Sequence, residues 1–510
     1  MSHQKQIKFG ALLSYLSIAL NIAAGLIYTP WMLSQIGESD YGLYTLANSI
    51  ITLFLVDFGL STATARFVSK YIAEGKQAEA DNFLGVVYKL YLIIDAVIFA
   101  ILLGFFFFID SVYVNLTPLE LEKFKVVYAI AGFYAVVNFP FVNLNGILTA
   151  NERFIQQKFA DIINRVLTVG LTIVALLLGM GLYALVAVHA LAGLITIAYK
   201  LYSIRKHTAT RANFRHRGRA LYRSIFAFSL WTTVTMLAQR LIFNITPSIL
   251  GIVSGTAAIA VFGIVTTIEQ YSYLITGAIK GMFMPRIARI YTKDEAQKNV
   301  MPLMIGVGRF QFALASLIAV GFAVVGEGFL TLWLKNQNAF SAEQIHNAYL
   351  GILLTIVPGV FYNSLQIANT ALIVQNKVKL EAIITAVTGG FNLVCSFFLS
   401  TYFGVLGACI SICIAYFIRA ILFHFVHHRV MKFDIPRFIK ECYLKMSVPI
   451  VLSLGFGCFA NALLPQISWI TLALKTLALC LLYGICVWCF ALSRAERETA
   501  KHYVRKKLHR

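Results

Sequence analysis

Three charged residues, Asp57, Arg240 and Glu269, each stand inside a long and otherwise apolar stretch of the chain. A charge near the centre of a bilayer costs at least about 2.5 to 3.5 kcal/mol unless it faces protein or water, so each needs a partner or a task. Arg240 offers a planar fork of donors suited to clasping a phosphate or an acidic sugar, and Asn244, one helical turn on, shares its face. It either faces a water-filled path or forms an internal ion pair with Glu269 or Asp57. Glu269 belongs to a polar stripe of Thr266, Glu269, Gln270, Tyr273, Thr276, Gly277 and Lys280, opposite an apolar face of Ile264, Val265, Ile268 and Ile275. The stripe either lines a hydrated cavity, which we favour, or packs polar face to polar face. A buried carboxylate that gains a proton or a cation changes its preference between two packings, so Asp57 and Glu269 are the candidates for gating or ion coupling.

These assignments depend on the elements that carry the residues. The chain is 59% hydrophobic and 13% charged, with a mean hydropathy of +0.76, and its apolar runs are long enough to span a bilayer. The pattern predicts an all-α polytopic membrane protein of about 14 transmembrane helices, at residues 9–33, 41–65, 83–108, 124–148, 159–179, 182–203, 222–249, 258–282, 303–325, 346–373, 380–400, 403–426, 446–464 and 467–491. With both termini cytoplasmic, only Lys123, Lys125 and Lys335 fall on the outer side, and Lys89, Arg165, Arg240, Arg309, Arg419 and Lys475 lie within spans. All other Lys and Arg are then inside, as the positive-inside rule requires. The net charge of +21 is therefore topology and not a nucleic-acid surface. The first span reads as a retained helix, since its apolar stretch is too long for a cleaved signal. Outer loops are too short for a folded domain.

The chain also repeats itself at an offset of about 220 residues. Ala65 to Tyr71 return as Pro285 to Tyr291, Lys89 and Lys200 as Arg309 and Arg419, and Pro140 and Asn145 as Pro358 and Asn363. The expected organisation is two pseudo-symmetric six-helix lobes, 1–203 and 222–426, joined by a basic linker, 204–221; a basic loop, 427–445, helices 13 and 14 in 446–491, and a basic tail, 492–510, follow. Membrane chains made of two copies of one unit are most often transporters with a path between the halves. The repeat sets Thr45, Asn48, Ser49 and Thr52 on the face equivalent to the Glu269 stripe, so Asn48 and Thr52 join the candidate binding residues. Tyr134, Asn138 and Thr149 pair in the same way with Tyr362, Gln366 and Asn369. Lys89, Arg309, Lys200 and Arg419 lie near the expected cytoplasmic ends, where long side chains can snorkel to the headgroups. Lys475 has no evident role. The basic linker and tail would rest on anionic lipid.

No enzyme chemistry has a foothold. There is no Walker A sequence, no His-Glu-x-x-His and no Gly-x-Ser-x-Gly. The eight cysteines all lie at or beyond Cys395, and Cys486-Val487-Trp488-Cys489 sits in the last apolar helix without a second ligand pair, so packing is expected and no metal or cofactor.

Tyr28-Thr29-Pro30, Gly37, Asp40-Tyr41-Gly42-Leu43-Tyr44, Asp57-Phe58-Gly59-Leu60 and Arg66 together resemble the amino-terminal signature of the polysaccharide transporter, or Wzx-type flippase, family. That family belongs to the superfamily of lipid II flippases and multidrug and toxin extruders (MATE). The likeness extends in pattern over residues 9–426. It implies a V-shaped MATE-like fold with a central cationic cavity that alternates between inward-open and outward-open states. It also implies a cargo: an O-antigen, capsule or exopolysaccharide repeat unit on undecaprenyl diphosphate, flipped across a bacterial inner membrane. Membrane lipids and the polymerase and chain-length-control proteins of the glycan pathway would be the partners, and a proton or sodium gradient could drive the cycle. By position, Asp57 and Arg66 carry over as gating or helix-packing residues. The second lobe departs from the pattern, with no second Asp-Phe-Gly-Leu and with Glu269 on the polar stripe instead. A multidrug or cation antiporter of the same superfamily is the nearer alternative, and a membrane-embedded glycan polymerase or ligase the further one.

Overall fold

The computed structural model describes residues 3–216, 219–277, 283–291, 296–334, 340–375, 377–493 and 496–498, and among these there is no strand. The helices run α1 (His3–Phe54), α2 (Leu60–Ala73), α3 (Gln77–Val112), α4 (Pro118–Asn138), α5 (Leu144–Ala150), α6 (Phe154–Leu177), α7 (Gly181–His207), α8 (Arg219–Phe243) and α9 (Thr246–Val253). They continue as α10 (Thr256–Gly277), α11 (Met284–Ile290), α12 (Ala296–Leu334), α13 (Ala342–Ser364), α14 (Gln366–Val374), α15 (Val378–Arg429), α16 (Ile435–Phe438), α17 (Lys445–Leu463) and α18 (Trp469–Cys486). By contact the chain groups into two compact units, residues 1–263 with 385–408, and residues 264–384 with 409–510.

Eleven helices among the described residues are long and apolar enough to cross a membrane. Large apolar side chains stand fully outward on many of them, among them Phe107 (72% exposed), Phe133 (71%) and Ile470 (74%). Water would not tolerate such a surface over most of the molecule, whereas lipid chains do. This is a multi-pass membrane protein. The spans expected at 9–33 and 41–65 fall on one 52-residue helix, α1, and those at 380–400 and 403–426 on another, α15. At 1.5 Å per residue either would measure roughly 78 Å, far beyond a hydrocarbon core of about 30 Å. α1 breaks at Gly37, with φ 80° and ψ 172°, in the loop expected between residues 33 and 41, and α15 breaks at Gly404, with φ 54° and ψ −131°, just inside the span expected at 403–426. Those angles suit a residue without a Cβ.

The second expected span needs a correction, since 41–65 is not one helix: α1 ends at Phe54 and α2 begins at Leu60. Asp57 causes the break. Its Oδ1 accepts the Gly59 N–H at 3.0 Å, and Phe58 and Gly59 take left-handed φ values of 54° and 70°. A short acidic side chain thus competes with the helix for backbone donors. The fourth span is broken as well, because Pro140 lies in a 3-10 turn, Phe139–Asn143, between α4 and α5. Helix starts also obey the repeat. Thr117 and Glu120 form a capping box at α4, and Ser341 and Gln344 form one at α13.

The four matched basic residues each meet a protein partner. Lys89 donates to the His216 carbonyl at 2.8 Å, and Lys200 to Asn145 Oδ1 at 2.9 Å. Arg309, 2% exposed, pairs with Glu441 at 3.4 Å and Glu496 at 2.5 Å. Arg419, also 2% exposed, lies over Tyr362 at 4.5 Å from the ring centroid. Lys475, which the sequence left without a role, donates to Asn461 Oδ1 at 2.8 Å. Burial in hydrocarbon makes any protein partner preferable to none. Lys89 and Arg309 share a further property: each fastens the segment that follows the sixth helix of its repeat, Lys89 the strap at 208–216 and Arg309 the turn at Glu441. The strap is docked on the start of α3, with Arg211 N–H donating to Asp81 Oδ1 at 2.8 Å and Asn213 N–H to the Asp81 carbonyl at 2.9 Å.

Arg309→Gln should lower the thermal unfolding midpoint of the detergent-purified protein by several degrees. It should also raise the rate of tryptic cleavage at Arg497, since both carboxylates lose their buried partner. Cleavage at the wild-type rate would show that Arg309 does not hold this segment.

Candidate functional site

A cavity of about 530 Å³ lies in the first unit. It is walled by α1, α4, α6 and α7. Three polar stripes face it. From α6 come Asp161, Asn164, Arg165 and Thr168, spaced i, i+3, i+4, i+7, which places them on one face of a helix. From α7 come His189, Thr196 and Lys200, and from α1 come Asn48 and Thr52.

The cavity is held open by bonds that fix its polar groups at their bases. Asn164 Nδ2 donates to Thr196 Oγ1 at 3.1 Å, tying α6 to α7. The Tyr44 hydroxyl and His189 Nδ1 lie 2.9 Å apart, tying α1 to α7. Arg165 reaches α1, with one terminal guanidinium nitrogen donating to the Asn21 carbonyl at 3.3 Å, while its Nε is buried without a partner. A guanidinium among the groups lining a membrane-embedded cavity favours an anionic or strongly accepting guest. Lys200 holds Asn145 and stands 4.0 Å from Asp161 Oδ1, and Asp161 Oδ2 accepts from Lys158 at 3.3 Å. Asp161 is the one carboxylate among the described residues lining the cavity.

The residues expected from sequence do not gather in one place. Asn48 and Thr52 do line this cavity, Asn48 exposed into it. Arg240 is half-buried at the end of α8 and donates to the Leu55 carbonyl at 3.3 Å, in the broken turn whose Asp57 charge acts on it. Asn244 closes that helix end, its N–H donating to the Arg240 carbonyl at 2.9 Å. Arg66 is exposed on α2, with its guanidinium carbon 5.8 Å from the Phe67 ring centroid. In the second unit Glu269 and Tyr273 border a cavity of about 10 Å³ with Ser272, Tyr362, Asn363 and Tyr416. That is room for one water. Gln270 is exposed. The Thr276 end of the stripe is packed polar to polar, with Thr276 buried and accepting from Asn363 Nδ2 at 3.1 Å. Lys280 lies outside the described residues.

Arg165, His189 and Asp161 were not singled out from sequence, yet a signal for them was there. The helical-wheel rule that finds the Glu269 stripe finds Asp161, Asn164, Arg165 and Thr168 equally well. The repeat also marks Arg165, since the residue 220 positions on is Thr385. The matched pair Lys200 and Arg419 divides in the same way, Lys200 facing a cavity and Arg419 enclosed by Tyr362, Tyr416 and Phe423.

Comparisons with known proteins agree with this architecture. A sequence model of a family described as polysaccharide biosynthesis protein matches residues 9–291. No curated protein matches the sequence. Among solved structures, lipid II flippase MurJ in an inward closed conformation superposes with a TM-score of 0.73 at 15% identity, covering 94% of this chain and 98% of that one. An inward-facing multidrug resistance MATE family transporter of the MOP superfamily gives a TM-score of 0.66 at 17% identity, covering 83% and 98%. The MATE transporter VcmN of Vibrio cholerae gives 0.61 at 14%, covering 84% and 97%. At these identities the likeness establishes the fold, which is that of MurJ and the MATE transporters.

The two roles open to Asp57 can be separated. Asp57→Asn keeps a side-chain oxygen for the Gly59 N–H and should unfold within about 0.5 kcal/mol of wild type, whereas Asp57→Ala should lose about 1 kcal/mol. Thermal unfolding in detergent measures both. Equal losses would make the carboxylate charge, and not the turn, the stabilising element.

Proposed function

The chain belongs to the polysaccharide biosynthesis protein family, and on that premise we propose that it is a flippase that moves an undecaprenyl-diphosphate-linked oligosaccharide across the bacterial inner membrane. The observation that carries this reading is the 530 Å³ polar cavity inside the membrane-spanning helices, where Arg165 and Lys200 face space that no protein group fills. Its size suits a small polar group rather than a whole oligosaccharide.

The physical task is to carry sugars and phosphates past hydrocarbon while a polyprenyl tail stays in lipid. Polar groups that leave water must find substitute partners along the way. The cavity supplies them from fixed positions: Arg165 and Lys200 for phosphate oxygens, and Asn48, Thr52, Asn164 and His189 for hydroxyls. Alternating access then needs only that the cargo bind two conformations differently, with no bond made or broken in it. Arg240 and Asn244 are carried as a second cargo contact. In that role Arg240 would leave the Leu55 carbonyl as Asp57 shifts, which makes Asp57 a gate. Glu269, in its one-water cavity, is the group that a proton or a small cation would reach, and Gln270, Tyr273 and Lys280 accompany it in the proposed path. O-antigen, capsule and exopolysaccharide units share the diphosphate that these cations address. A polymerase and chain-length-control proteins would take the product onward.

A strain lacking the gene should accumulate the lipid-linked unit and lose surface glycan. Complementation with Arg165→Gln or Lys200→Gln should restore at most about a tenth of the wild-type glycan, since each removes a charge-assisted contact of about 1.5–3 kcal/mol, at equal membrane abundance. Full glycan display by both variants would remove Arg165 and Lys200 from the cargo path, and normal display in the deletion strain together with export of cationic dyes by the purified protein would replace this reading with that of a multidrug exporter.

A further inference from the structure

Asp161 is out of place in a cavity meant for an anion. It is the carboxylate among the described lining residues, beside Lys200 and one helical turn from Arg165. Its grip on both neighbouring lysines is loose. Lys200 stands at 4.0 Å from one oxygen and Lys158 at 3.3 Å from the other, and 39% of the Asp161 side chain is exposed. Lys200 is held instead by Asn145 at 2.9 Å, with its side chain only 13% exposed, so its ammonium stays in position whether or not Asp161 does. Half-exposed pairs of this length contribute little to stability.

Resting on the anionic-cargo reading, we propose that Asp161 is a resident counter-ion of the cavity, which an incoming phosphate displaces from Lys200. While the cavity is empty, Asp161 balances the cation that Asn145 positions, so that cation never faces a low-dielectric space alone. When a phosphate arrives, Asp161 turns to Lys158 and water, and the phosphate takes two cations, Lys200 and Arg165. Asp161 thereby sets specificity. A neutral sugar without a phosphate cannot replace the carboxylate at Lys200, and a cation meets two fixed positive charges. The matched Arg419 in the second unit is enclosed by aromatic rings instead.

Binding of inorganic pyrophosphate to the full-length protein in lipid nanodiscs tests this, with titration calorimetry as the readout. Asp161→Asn should bind pyrophosphate about tenfold more tightly than wild type, since the ligand no longer competes with a carboxylate. Lys200→Gln should weaken binding, and the double variant should bind like Lys200→Gln alone, because the gain acts through that lysine. Asp110→Asn, which removes the same charge from an exposed pair with Lys125, should leave affinity unchanged. Asp161→Ser provides a second variant of the same sign should the amide fold poorly, with unfolding midpoints reported for each. An unchanged or weakened affinity in folded Asp161 variants overturns the proposal and leaves the flippase reading intact. An equal gain in Asp110→Asn also overturns it. No pyrophosphate binding by the wild type would remove the anionic-cargo reading itself and this inference with it.

Discussion

A cation inside a membrane helix must be met by protein or by enclosed water, and the polar architecture of this chain follows from that constraint. Hydrocarbon offers no alternative, so each in-span basic residue fixes its surroundings. Arg309 draws Glu441 and Glu496 to α12, Lys475 draws Asn461, and Lys89 draws the carbonyl of His216. These contacts dock the strap, the turn and the last helices at defined places. The basic residues that would otherwise be liabilities become the fasteners of the fold.

Much of this was legible in the sequence, because membrane helices obey a strong and simple rule. Apolar length marks the helices, and the break at Gly37 falls in an expected loop, whereas that at Gly404 falls just inside the span expected at 403–426. Capping boxes open both α4, at Thr117, and α13, at Ser341. What failed was local and chemical. The sequence Leu55 to Gly59 reads as helix by hydropathy, yet one hydrogen bond from Asp57 to its own turn overrides that pattern. Snorkelling was a sound expectation for a long cation near a helix end, but it assumes that no partner is near. Partners supplied by distant segments, such as Glu496 to Arg309, leave no trace in linear order.

The candidate site shows the same division. Asn48 and Thr52 were found because a polar stripe on an apolar helix is a periodic signal. Arg165 was passed over because it was counted as a charge and not as a member of a stripe with Asp161 and Asn164. Arg240, singled out as a lone charge, sits with the Leu55 carbonyl in a broken turn. Singularity in sequence identifies a residue under constraint. It does not say whether the constraint is a ligand or a neighbouring backbone.

Two copies of one unit begin with the same polar groups at equivalent places, and function requires that they come to differ. Asn145 and Asn363 are matched, as are Lys200 and Arg419. In the first copy the amide holds the lysine at the edge of a cavity, whereas in the second Asn363 turns to Thr276 and the arginine lies over Tyr362. The exchange of lysine for arginine fits this split, since a guanidinium stacks on aromatic faces and is more weakly hydrated, whereas an ammonium remains a compact point charge suited to ligands that come and go. Matched positions in the sequence thus meet opposite surroundings, an open cavity about Lys200 and a cage of aromatic rings about Arg419. The repeat places the cations, and their neighbours decide whether each stays open to a guest or becomes part of the packing.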